Sequence, residues 1–546
     1  MKEKELIKIS CLVSFILWIV LNIIDFGQIY FDNSIISIKT CLIKILELPF
    51  IYFFVKNIIN LIKNRKKNKT YIIITLIALF IELLLLFLTW PGMWSWDDVF
   101  IVTGARMYNL SPWQHLFSGL FHILCLKIIP IISGVIIIQI IISSIIIGYV
   151  VNTLRELIKF NSRKKEIIFC TLLTMSCLSF PVMEYLLSGF RMGIYTYLEL
   201  LLVTISIKMY MHKDKISDVS LFEYLLLAII VTCWRGEAIY YVIALPIFLV
   251  LIRKNKIKAS RIAVFSVLLI TSSLIVTFVN NKLIGNNNYS ISATINPIVE
   301  IVKEMKIKGD TEEFDNISSI INIDMINPKD GLGGEYYLWA DGFIKSDYRK
   351  DDYNKYIKGY KKLLFKYPLV GIKTMYNTFY SSTGIHVIDN KSMLRTVATR
   401  STVNTFNIFE SDDLSGKAWK ESPSLFKYPI NYKLRDIAIR IIACIDKEDN
   451  VTLPYYLIWN LWIPIILIVI TIILCMYKKD LVMSLIGFSL IGKGLLIFIT
   501  ASAPYFMYYV SIYVIGYVYS IFYITYCYTN KKKHKSSRKR SFKMKP

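Results

Sequence analysis

The chain has 546 residues, 55% of them hydrophobic and 19% charged, with a formal net charge of +25. Its apolar residues come in long blocks, which excludes an ordinary soluble core and calls for a lipid bilayer. The basic excess lies between those blocks, where the positive-inside rule places it, so it implies no nucleic-acid partner.

In chain order, the first block, 10–28, runs into Asp25, Phe26 and Gly27 without a small-residue cleavage site. It reads as a retained span and not as a signal peptide. A punctuated block at 34–60 follows, then a basic run of Lys63, Arg65, Lys66, Lys67 and Lys69. The third span, 70–90, carries Glu82 near its middle and ends at Trp90. Counted from a cytoplasmic N-terminus, it ends outside, so the loop 91–115 is external. External loops hold Asp25, Asp32, Asp97, Asp98 and Glu184 and few basic residues.

That loop opens as Trp90, Pro91, Gly92, Met93, Trp94, Ser95, Trp96, Asp97, Asp98, two carboxylates amid three tryptophans. One reading is an aromatic belt followed by Ser95 or Asp98 capping a helix. The other is functional: a partly desolvated carboxylate serves as general base on an acceptor hydroxyl, or holds a cationic group or divalent metal, with its neighbour tuning its pKa. His115 and His122 share a helix face two turns apart, too far for joint metal ligation. Residues 116–130 are too short to cross and end at Pro130, which predicts a helix in the outer interface.

Further blocks lie at 131–154, 166–181, 191–209, 219–234, 236–253 and 262–280. Their alternation puts Arg163, Lys164 and Lys165, and Arg253, Lys254, Lys256, Lys258 and Arg261, in the cytoplasm. It puts Glu184 and Arg191 of FPVMEYLLSGFRMGIYTY, and Arg235 and Glu237 of CWRGEAIYY, outside. A guanidinium fork suits a phosphate, so Arg191 and Arg235 are candidates for a lipid-linked phosphate. Snorkelling, or an Arg235–Glu237 pair, explains them without a ligand. Glu82, Glu199 and Lys493 fall near mid-span, where charge costs at least ~2.5 kcal/mol; they support a transport alternative.

Residues 283–452 are polar, with turn signals at Asn286–Asn288, Asn327–Asp330, Gly331, Gly333 and Gly334. The stretch far exceeds an ordinary loop. Helical periodicity at 353–380, broken at Pro368, and at 432–446 predicts a small, mainly helical external domain. Its single cysteine, Cys444, allows no internal disulfide. Blocks at 455–477, 481–501 and 505–528 lead to a basic tail. The expected architecture is an all-α polytopic protein of the cytoplasmic membrane with about twelve transmembrane helices and both termini inside. Its parts are an N-terminal transmembrane region (1–282), the external domain (283–452), a C-terminal transmembrane region (453–530) and a cytoplasmic tail (531–546).

This layout, an acidic motif in an early external loop, resembles the GT-C superfamily of polytopic glycosyltransferases. PGMWSWDD with His115 looks like the early loop of a bacterial GT-C-like group patterned Pro-Gly, four residues, Asp, then His-Pro; Pro91, Gly92 and Asp97 match. Arg235 to Tyr240 looks like that group's Arg-Asn-x-Gly-Ile-Tyr stretch, and APYFMYYVSIYVIGYV like its last-span Arg-Tyr motif around Tyr508. The chain departs in having Leu116 after His115, Gly236 for the asparagine, and Met507 for the arginine before Tyr508. The resemblance implies a sugar donor on a polyprenyl phosphate, a cell-envelope glycan, lipid or protein as acceptor, and Asp97 as the base. A transporter or flippase of lipid-linked saccharides, or a non-catalytic scaffold, are the competing expectations.

Overall fold

The computed structural model describes residues 3–24, 38–63, 69–385 and 419–542, apart from 95, 109, 111–114, 213–214, 254–255, 284–288, 421 and 449. Asp25, Asp32, the basic residues 64–68 and the turn at Asn286–Asn288 lie outside the described residues. The described chain is helical, with two isolated β-bridges and no strand. A helix satisfies its own backbone N–H and C=O groups, which is what long apolar blocks need in hydrocarbon.

The N-terminal part contains α1 (Glu3–Ile24), a broken pair α2 (Ile38–Leu46) and α3 (Leu48–Lys63), and α4 (Lys69–Thr89). Short α5 (Trp96–Arg106) and α6 (Leu116–Ile128) precede α7 (Gly134–Glu156). Next come α8 (Arg163–Cys177) and α9 (Phe180–Leu186), then α10 (Arg191–Met211) and α11 (Asp218–Thr232). A 3-10 turn at Gly236–Tyr240 opens α12 (Tyr241–Ile252), and α13 (Ala259–Leu283) follows. The polar segment holds α14 (Tyr289–Lys308), α15 (Phe314–Ser318), α16 (Gly334–Trp339), α17 (Lys350–Lys366), α18 (Pro368–Ser382), α19 (Ser424–Lys427) and α20 (Tyr432–Ala443). Last are α21 (Leu453–Ile458), α22 (Trp462–Tyr477), α23 (Leu481–Thr500) and α24 (Val510–Phe542).

Among the described residues, eight helical stretches are long and apolar enough to cross a membrane, or nine if the α8–α9 pair, bent by 49°, is one span. The eight are α1, α4, α7, α10, α13, α21–α22, α23 and α24. The other expected crossings, α2–α3, α11 and Gly236–Ile252, are broken or shorter. A multi-pass membrane protein is therefore the architecture, with fewer full-length spans than the expected dozen.

Burial sorts these helices. α7, α10 and the first part of α24 are mostly enclosed, whereas α1, α4, α13 and α22 carry exposed Leu, Ile, Val and Phe along one side. On α4 the buried stripe is Tyr71, Ile74, Thr75, Ala78, Glu82, Leu86 and Thr89, a helical period, and it packs on α7. Gly148 of α7 makes that approach possible, since a Cβ there would collide with Thr75 Oγ1 and the Tyr71 ring.

Two expectations change. Helix α6 is enclosed by protein instead of open on one side: Leu116 through Lys127 are all buried, and Lys127 is neutralised by Glu47 at 2.9 Å. The 283–452 segment feeds two cores. α14–α18 gather around their own cluster of Ile291, Ile295, Ile298, Ile301, Met305 and Leu363, whereas Trp419, Ile439 and Ile442 join the core of the spans.

Candidate functional site

The loop after α4 is a buried wedge. Met93 is wholly buried and Trp94 is 1% exposed, so Trp94 is not part of an aromatic belt. The Met93 amide donates to Leu187 O at 2.7 Å, Ser133 Oγ donates to Pro91 O at 2.7 Å, and Trp94 Nε1 donates to Pro91 O at 3.0 Å. The φ of +123° at Gly92 suits only glycine, and a Cβ there would also press on Leu187 O. Arg435 of α20 closes the wedge from above: its Nε donates to Thr89 O at 3.2 Å and its Nη2 to Gly92 O at 2.9 Å. A guanidinium on the last carbonyls of a helix also complements the helix dipole. Trp90 Nε1 donates to Leu425 O at 2.7 Å, and Trp419 Nε1 to Thr103 Oγ1 at 2.8 Å.

The wedge braces the turn that presents Arg191. Gln139 Nε2 donates to Ser188 O at 2.8 Å, and the Trp94 ring covers Gly189. Both ring nitrogens of His122 lie 2.7 Å from carbonyl oxygens, Nδ1 from Ser118 and Nε2 from Gly189. His122 is thus a strut and no metal ligand. Arg191, at the start of α10, is nearly buried at 7% exposure, and Trp234 Nε1 donates to its carbonyl at 3.2 Å.

Arg235 comes next in space. It ion-pairs with Glu237, and its guanidinium stands 5.8 Å from the Tyr195 ring and 5.9 Å from the Tyr508 ring. Two flanking π faces hold the cation in place as hydrogen bonds would, without needing acceptors. The His115 ring packs beside Gly236. Burial, then the positive charges of Arg191 and Arg235, draw its pKa from 6.5 down to about 3, so the imidazole is neutral.

Beneath lies a second charged layer. Lys493 Nζ of α23 donates to Glu199 Oε2 of α10 at 2.5 Å, to Ser511 Oγ at 2.7 Å and to Tyr195 OH at 3.3 Å. Tyr241 OH donates to Glu199 Oε1 at 2.8 Å. The Lys493 ammonium also sits 4.8 Å from the Tyr195 ring, so Tyr195 lies within cation–π range of both Lys493 and Arg235. Sequence reasoning missed Tyr195, Tyr241 and Ser511; among so many aromatic span residues nothing singles them out. Glu82 is apart, accepting from Ser143 at 3.0 Å and Ser144 at 2.6 Å.

Of the expected site residues, His115, Arg191, Arg235, Glu237 and Tyr508 converge. Asp97 and Asp98 occupy the first turn of α5, Asp97 exposed and Asp98 wholly buried. Glu184 is buried on α9, within electrostatic reach of Tyr455. Among the described residues no three His, Cys, Asp or Glu side chains converge as a metal set. An apolar cavity of about 110 Å³ reaches Trp234, lined also by Phe50, Phe121, Ile194 and Leu198. Two of its lining residues are sequence neighbours of the arginines, Trp234 preceding Arg235 and Ile194 one helical turn after Arg191. No protein-family model, curated protein or solved structure matches this chain.

Proposed function

We propose that this protein is a membrane glycosyltransferase that moves a sugar from a polyprenyl-phosphate donor to a cell-envelope glycan, lipid or protein on the external face of the cytoplasmic membrane. The observation carrying this reading is the pair of buried arginines, Arg191 and Arg235, linked through Trp234, which precedes Arg235 and donates to the Arg191 carbonyl, to an apolar cavity that Trp234 lines. A polyprenyl phosphate has that chemistry: an apolar chain with an anionic end. The reading takes α2–α3, α8–α9, α11 and the Gly236–Ile252 segment as further crossings. About twelve then result, with both ends cytoplasmic and 91–115 and 283–452 outside.

In the transfer, the acceptor O–H proton passes to a carboxylate and the acceptor oxygen bonds to the anomeric carbon. The bond from that carbon to the phosphate oxygen breaks, and its electron pair leaves with the phosphate. Arg191 and Arg235 offset the charge on that leaving group. Asp97, exposed at the start of α5, suits the base; Asp98, buried beside it, suits a positioning role. A second reading, a flippase of lipid-linked saccharides, rests on charge at mid-span, the Glu199–Lys493 pair.

The test uses the full chain in nanodiscs with a polyprenyl phosphate as probe and the corresponding polyprenol as control. The phosphate is expected to bind at least about tenfold tighter than the polyprenol, and R235Q to remove that preference. Equal binding of the two would sink the reading. Sugar transfer by protein in detergent, abolished by D97N, separates an enzyme from a flippase, which needs a sealed membrane. Unchanged envelope glycans in a D97N strain would point to a scaffold.

A further inference from the structure

The corner between α17 and α18 carries apolar side chains turned outward. Phe365 is 85% exposed and Leu369 80%, and the stripe continues along α18 through Ile372 and Tyr376. Leu369, Ile372 and Tyr376 fall at helical spacing on one face of α18, whose opposite face buries Gly371, Met375 and Thr378, and Phe365 stands just before the corner on α17. Large apolar residues this exposed, and contiguous, mark a surface that meets something apolar.

Three observations identify the occupant. First, the last turn of α18 meets the ends of the spans: the Phe379 ring lies 5.4 Å from Trp462 at the start of α22 and 5.9 Å from Phe498 near the end of α23. Asn296 Nδ2 bridges Thr378 Oγ1 at 3.2 Å and Ala501 O at 3.3 Å, fixing α14 and α18 to the end of α23. Second, α23 and α22 carry their own outward apolar residues beside this junction, Leu495, Ile499 and Ile466, and Tyr376, one turn from Phe379, brings the α18 stripe up to that surface. Third, the outward face of α17 is basic, with exposed Lys355, Lys358 and Lys361 beside Lys362, which is paired with Glu313 at 2.6 Å, and Lys373 stands beside Ile372 on α18. Apolar residues at a helix corner with lysines behind them are the pattern of a helix seated in the headgroup region.

We propose that the α17–α18 corner is a membrane-interface anchor. Phe365, Leu369, Ile372 and Tyr376 dip below the headgroups, and the lysines of α17 and Lys373 contact anionic phospholipid. The α14–α18 cluster is thereby held down on the bilayer at two places, by the spans at Phe379 and by the corner at Phe365. This anchoring is independent of the glycosyltransferase reading and holds for any activity of the spans.

Single cysteines at F365C and L369C, compared with N354C about 16 Å along α17, test it in nanodiscs loaded with one copy of the full chain. A water-soluble maleimide is expected to label F365C and L369C at least about tenfold more slowly than N354C, as burial of one such side chain predicts. Replacing anionic by zwitterionic phospholipid should narrow the gap. A second readout, quenching of L369W by bromine-labelled acyl chains, is expected to be strong. Equal labelling at the three positions with no quenching would overturn the proposal. Protection seen only with two copies per disc would overturn it in favour of a dimer face, and protection indifferent to lipid charge would overturn the headgroup contact.

Discussion

Lys493 is the most informative residue to perturb, because its surroundings define what its loss leaves behind. Lys493→Met keeps the length of the side chain and removes donors to Glu199 at 2.5 Å, Ser511 at 2.7 Å and Tyr195 at 3.3 Å. Glu199 then retains Tyr241 at 2.8 Å and Tyr240 at 3.5 Å but no counter-charge from the lysine. Removing one member of a buried ion pair costs about 3–5 kcal/mol, a large part of the roughly 5–15 kcal/mol by which folded domains exceed unfolded ones. Removing both charges together, E199L/K493M, leaves no orphaned ion and is expected to lie within ~1 kcal/mol of wild type or above it. Equilibrium unfolding in detergent on the two singles and the double closes a cycle, with an expected coupling of at least about 5 kcal/mol, the two single losses less that of the double. A coupling below ~0.5 kcal/mol, or a K493M variant as stable as wild type, would show that the pair does not carry the burial of these charges.

Arg435→Met leaves the carbonyls of Thr89 and Gly92 without their guanidinium, and a loss of about 2–3 kcal/mol is expected, read as a lower melting temperature. G148A should separate α4 from α7 at Thr75 and Tyr71, costing about 1–3 kcal/mol in the same assay. His115 stays neutral in the folded chain down to about pH 3, whereas the unfolded chain protonates it below 6.5. The unfolded state therefore binds more protons between those values, and stability falls as pH drops from 6.5 toward 3. H115Q should flatten that part of the stability–pH curve, measured by thermal unfolding across the range.

What the sequence shows about this fold is its apolar blocks, because hydrocarbon thickness sets a length that survives in one dimension. Charge at mid-block was legible for the same reason, which is how Glu82, Glu199 and Lys493 stand out. Their partners were not legible: Lys493 meets Glu199 across 294 positions, and helix packing decides such pairs without any local trace. Trp94 shows the limit from the other side. Tryptophan suits both a membrane belt and a packed core, and only the hydrogen bonds of Met93 and Ser133 to the neighbouring loops settle that it is core. Asp97 and Asp98 differ because adjacent helical residues point about 100° apart, so one helix turn exposes the first and buries the second.

The layering of charge bears on which reading of the site is better. A transporter's coupling residue has to exchange between partners or take up water as the cavity alternates. Glu199 and Lys493 instead lie 0% and 1% exposed, enclosed by Tyr195, Tyr241 and Ser511. Tyr195 passes that order upward, since one of its faces meets Lys493 and the ring also flanks Arg235. Arg235 is in turn bounded by Tyr508, carried on the chain between α23 and α24, so both helices of the C-terminal pair fix its position. A guanidinium held by two rings and a carboxylate loses little freedom when it meets a phosphate, which is the property a leaving-group site needs and a carrier's moving charge does not. The buried ion pair therefore fits a foundation for Arg235 better than a stage in a transport cycle.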